Sequence, residues 1–138
     1  MKYEFTGQTK SFYGVTVRQI KRISDGLIGG WIESEKNLDQ NGDCFIYDNA
    51  VVSGNASVFG DARVFGNALI SGDAVVTGNA LISGDAVVSG NASVYDNASV
   101  FGNAWVSGNA WVYDNASVFG NAWISDNASV SGDEVITD

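Results

Sequence analysis

Gly90-Asn91-Ala92-Ser93-Val94-Tyr95, Asp96-Asn97-Ala98-Ser99-Val100-Phe101, Gly102-Asn103-Ala104-Trp105-Val106-Ser107 is one six-residue unit written three times. The unit reads Gly or Asp, Asn or Asp, Ala, any residue, Val or Ile, any residue. Its register holds without insertion from Gly42 to Thr137. The aliphatic place is filled at every step from Ile46 through Val52, Val58 and Val64 to Val130 and Ile136. The small place carries Ala from Ala50 to Ala128, with Cys44 standing in at the start and Glu134 breaking it at the end. Cys44 is accordingly read as a buried small hydrophobe.

A helix does not tolerate this pattern, because Gly, Asn and Asp recur where they favour turns over a helical interior. Short strands remain. Around each Val or Ile the side chains alternate, so the β-branched residue faces one way and its two neighbours the other. The Gly-Asn or Asp-Asn pair turns the chain, since Gly and Asn accept left-handed backbone angles. Three strands and three turns make a triangular coil of eighteen residues, and residues 41–138 supply about five coils. At roughly 4.8 Å per coil the rod is on the order of 25 Å long. No coil buries its Val, Ile and Ala alone, so neighbours are required.

The spacing of the aliphatic and small places resembles that of the hexapeptide-repeat proteins. That resemblance implies a left-handed parallel β-helix; the hand comes from the family, because periodicity alone does not fix it and the usual rule for parallel crossovers is right-handed. The run Gly29-Gly30-Trp31-Ile32-Glu33, then Asn37-Leu38 and Gly42-Asp43-Cys44-Phe45-Ile46-Tyr47-Asp48-Asn49-Ala50, resembles the start of the repeat in YdcK-like bacterial and prophage proteins. The resemblance carries no catalytic residues that transfer to this chain. The expected fold is therefore all-β: a three-sided, left-handed parallel β-helix over 41–138 with a small N-terminal antiparallel β cap and junction over 1–40.

The cap is read from alternating apolar and polar residues at 2–6, 10–13 and 15–23, with Gly7 and Gly14 at turns. A β-helix end exposes unpaired strand edges, and the cap covers one. Charge divides along the same line. Residues 1–40 hold six basic and five acidic residues, net +1, whereas 41–138 hold Arg63 against eleven acids, net −10, which together give the chain's −9. Such a rod lacks the Lys and Arg that replace counterions on phosphates, so neither direct nucleic-acid binding nor membrane binding is expected. No apolar run is long enough for a signal peptide or membrane span, and a cytoplasmic location is the default expectation.

Residues eighteen apart stack on one face, so outward columns can be read directly. One column is Val51, Leu69, Val87, Trp105, Trp123, apolar on every coil. The second face adds Trp111 and Tyr113, and the third Phe101 and Phe119. A continuous apolar stripe exceeds what a monomer usually leaves wet, so these nine residues are the interface candidates. Stacked aromatics also stabilise neighbouring coils directly, which is the competing reading.

The chain has no histidine. Hexapeptide acyltransferases typically use a histidine base and the related carbonic anhydrases three histidine ligands, so no catalytic, cofactor or metal site is expected. The Asx corners do not have the nine-residue period of calcium-binding glycine-rich repeats. Three functions remain: a non-enzymatic structural or protein-binding solenoid that forms a dimer or trimer through the apolar face; an acidic inhibitor or nucleic-acid mimic that binds a basic host protein; and a degenerate acyltransferase.

Overall fold

The computed structural model describes residues 1–138. The chain opens with an antiparallel hairpin, β1 (Tyr3–Phe12) and β2 (Val15–Arg22), followed by β3 (Ile28–Ile32). From Phe45 onward it forms two-residue strands at six-residue intervals, each ending on the Val or Ile of the repeat. These pair in parallel with the strand eighteen residues on, as in Trp105↔Trp123 and Val106↔Ile124. Three parallel sheets result, wrapped around one interior over about six turns.

Each coil bonds to the next through its backbone. Trp105 N–H donates to Ala122 O at 3.0 Å, Ser107 N–H to Ile124 O at 2.8 Å and Asn109 N–H to Asp126 O at 2.6 Å, so strand and corner alike are paired. The ladder therefore leaves few orphaned backbone groups along the rod. Inside, Ala50 to Ala116 and Val52 to Val118 are at most 1% exposed, and Cys44 is buried in the small place as its register requires.

The first residue of each corner is left-handed. It is usually Gly, but Asp48, Asp96, Asp114 and Asp126 also adopt it, with φ of 57° to 58°. Asn, the second corner residue, does not share this conformation, contrary to the expectation from propensity. Its side chain instead links one coil to the next. Asn79 Nδ2 donates to Asn97 Oδ1 at 3.2 Å, Asn97 to Asn115 at 3.4 Å, and Asn115 to Asp133 at 3.3 Å. Asn can accept from one coil and donate to the next, whereas ionised Asp only accepts and ends the chain of bonds.

Parallel pairing begins before the strict register does. Trp31 and Ile32 pair with Val51 and Val52, and Leu38 bridges to Val58. Ile32 and Leu38 are six residues apart, but Leu38 and Ile46 are eight apart. A two-residue insertion in the loop around Asp39–Asp43 conceals this first coil from a strict count. Gly29 and Gly30 bring β3 against it: a Cβ on Gly30 would lie 2.6 Å from both Ala50 O and Ile46 Cγ2, so only glycine fits the crossing.

The hairpin extends one solenoid sheet, in the order β1, β2, β3 and then the strands of Val51, Leu69, Val87, Trp105 and Trp123. Gly7 lies within β1 at a register shift and not at a turn; the reversal is at Tyr13-Gly14, both with positive φ. Tyr3, Val17 and Ile20 are fully buried, and the Tyr3 hydroxyl donates to Leu38 O at 2.6 Å. Asn37 completes this end. Its own N–H turns back to Ser34 O, so its side-chain Nδ2 donates to Ala56 O at 2.8 Å instead, while Oδ1 accepts from Glu33 N–H and Ser34 N–H.

Candidate functional site

The outward column at Val51 lies on the sheet that the hairpin extends, and its exposure rises along the rod. Val51 is only 2% exposed, Leu69 and Val87 are half-buried, Trp105 is 47% exposed and Trp123 is 66% exposed. Val51 leaves the sheet outward but is covered, which corrects the expectation of an apolar stripe open along the whole column. It sits between Trp31 and Leu69, and Lys10 Nζ holds the Trp31 ring at 4.4 Å from its centroid. Larger neighbours cover the smaller side chain. Trp31 itself is the first member of the column; the repeated Trp-Ile pair at 31–32 and 123–124 is the signal that exposes it in the sequence.

Trp105 and Trp123 meet edge to face, with centroids 5.5 Å apart and planes at 81°. Flat stacking is the alternative for rings on adjacent rungs, and edge-to-face packing leaves more of each ring accessible. Between them lies a shallow cleft of about 250 Å³ whose walls include Asn103 and Asn121. No charged residue occupies this column from Val51 to Trp123. Two indoles in an uncharged setting are suited to desolvation by another apolar surface.

The remaining candidates divide between the other two faces. Phe101 and Phe119 stack at 4.7 Å with planes 6° apart, and Tyr95 and Tyr113 at 5.0 Å and 3°. Phe119 and Tyr113 are half-buried by this coil-to-coil contact, and Phe101 is 36% exposed. Trp111 differs. It is 50% exposed and meets Tyr95 and Tyr113 edge-on at 6.3 Å and 6.4 Å. The structure therefore brings Trp105 together with Trp123, and Trp111 together with Tyr113, but these pairs lie on different faces.

Polar chemistry is sparse. Cys44 has Lys2 Nζ at 3.1 Å, yet burial pushes its thiol above the ordinary range, against the pull of that ammonium. Burial does the same to the Tyr3 phenol, with Glu35, Cys44 and Asp39 adding to the effect. Both groups are thereby held neutral. No three His, Cys, Asp or Glu side chains converge as a metal-binding group, and no helix is long and apolar enough to cross a membrane.

Two comparisons bear on this architecture. Residues 45–60 and 62–78 match the family model described as the YdcK Beta solenoid repeat. One relative, the "Uncharacterized acetyltransferase YdcK" of Escherichia coli (strain K12), is 42% identical over a stretch covering 38% of this chain and 19% of that protein. The match thus takes in about a fifth of that relative's length. With its parallel rungs and six-residue corners, the chain is a β-solenoid protein, and its residues 45–60 and 62–78 are similar to the YdcK solenoid repeat.

Proposed function

We propose that this protein is a non-enzymatic structural solenoid that self-associates through the Trp105 and Trp123 end of its first face. The observation that carries this is the pair of indoles, 47% and 66% exposed, in an uncharged column whose earlier members from Val51 to Val87 are buried or half-buried. Elsewhere the rod carries net negative charge, and like-charged surfaces repel. An uncharged apolar face is where two copies can approach without burying unpaired carboxylates. A dimer or a trimer satisfies this requirement.

The relative's name suggests acetyl transfer, and a degenerate transferase is the competing reading. The absence of histidine removes the usual base for activating an acceptor, which favours the structural reading. Light scattering tests the proposal: Trp105→Ser with Trp123→Ser lowers the particle mass, whereas unchanged mass rejects it. Calorimetry with acetyl-CoA tests the competitor, since heat of specific binding at this chain would support it.

A further inference from the structure

The N-terminal third brings its cations to its own aromatic rings. Lys10 lies over Trp31 at 4.4 Å, Arg18 over Phe5 at 5.1 Å and Arg22 over Phe45 at 5.2 Å. After Arg63 the chain has no Lys or Arg at all. No Lys or Arg of residues 1–138 lies over the rings of Tyr95, Trp111 or Tyr113. On the second face this contrast is sharpest, because the rings of Tyr95, Trp111 and Tyr113 stand beside a corner of carboxylates.

Tyr95 and Tyr113 each immediately precede a left-handed Asp, at positions 96 and 114. Asp96 Oδ2 and Asp114 Oδ2 each accept a bond from a backbone N–H one coil on, that of Asp114 and of Gly132 respectively. These bonds fix both carboxylates along the corner without neutralising them. A groove of about 500 Å³ runs there, with Asn79, Asp96, Asn97, Asp114, Asn115 and Asp133 among its walls. Burial, then Tyr113, Asp96 and Asp114, holds the Tyr95 phenol above its ordinary range, which agrees with a negative local potential.

We propose that the ring cluster of Tyr95, Trp111 and Tyr113 is a docking surface for an arginine-bearing segment of a partner protein. A guanidinium suits both parts of the surface: its planar face stacks on an exposed indole, and its N–H groups reach the neighbouring carboxylates. An ammonium satisfies the charge but lacks the planar face. Anionic partners meet only repulsion from the eight acids and no bases of residues 64–138. The surface is on a different face from Trp105 and Trp123, so the proposal is independent of self-association.

Calorimetry at low ionic strength, with acetylated and amidated tetra-arginine, tetralysine and tetraglutamate peptides, tests it. Tetra-arginine binds more tightly than tetralysine, and tetraglutamate does not bind. Trp111→Ser weakens tetra-arginine by roughly two- to fivefold, the contribution of one exposed cation–π contact, and narrows the preference over tetralysine. Asp96→Asn with Asp114→Asn weakens both cationic peptides, keeping residues that tolerate the left-handed corner. Trp105→Ser with Trp123→Ser leaves tetra-arginine binding unchanged. Equal affinity for the two cationic peptides, or no effect of Trp111→Ser in a variant whose circular dichroism is unaltered, reduces the interaction to diffuse charge attraction and overturns the proposal. Absence of binding, or its loss in the Trp105 and Trp123 variant, overturns it as well.

Discussion

Asp114 reaches one coil forward, where its Oδ2 accepts the backbone N–H of Gly132 at 3.0 Å. The same residue holds φ at 58°, a conformation that most side chains resist. Asp at this corner thus trades some backbone strain for a bond that Gly cannot make. Asp114→Gly loses the bond, worth about 1 kcal/mol, but relieves strain of about the same size and stays near the parent. Asp114→Ala loses the bond and keeps the strain, and so costs about 1 kcal/mol. Urea denaturation orders the three proteins; Ala more stable than Gly at this site would contradict the account.

The small place is small because it faces inward, not because the repeat favours Ala. Ala98 is fully buried, whereas Ala128, in the last coil, is exposed. Ala98→Val should cost about 1–3 kcal/mol by overpacking. Ala128→Val should stay within about 0.5 kcal/mol of the parent. Thermal melting of the two variants reads the difference directly.

Asn37 is the one buried polar residue, and its amide bonds both ways. Asn37→Leu keeps similar volume but leaves Ala56 O and Ser34 N–H without these partners, at a cost of about 3 kcal/mol. Hydrogen exchange should show the loss concentrated at the first coil, with later coils still protected. Uniform loss of protection would mean that the rod has no separable end.

Tyr3 gives the fold an alkaline limit. Burial raises its phenol from an ordinary value of 10.0, so the unfolded chain ionises first as pH increases. The contribution of neutral Tyr3 is complete below pH 10 and is lost as pH climbs above it. In a Cys44→Ala background, which removes the buried thiol, the melting temperature should fall from pH 10 upward. Tyr3→Phe loses the hydroxyl bond to Leu38 O, costing about 1 kcal/mol at neutral pH, but shows a shallower alkaline decline. Parallel curves for the two proteins would rule out Tyr3 as the cause.

The three-sided coil is legible in the sequence because each place in the repeat answers to one physical demand. Val94 and Ala98 must be dry, and Gly90 or Asp96 must turn. The nine candidate residues are less legible, since periodicity states which way a side chain leaves the sheet but not what lies over it. Val51 leaves outward and is nevertheless covered, between a Trp and a Leu. Trp31 escapes a strict count because two extra residues between Leu38 and Ile46 break the spacing. The Asn ladders are hidden differently: propensity explains Asn at a corner without reference to the coil above. Nor does a repeat of six distinguish one hand of winding from the other.

A variant that keeps Trp105 and Trp123 and carries Trp31→Phe and Trp111→Phe, quenched with acrylamide across a dilution series, tests the central claim most directly. Its two indoles should be strongly quenched in dilute solution and protected as concentration rises. Quenching that is the same at every concentration would contradict association through the first face.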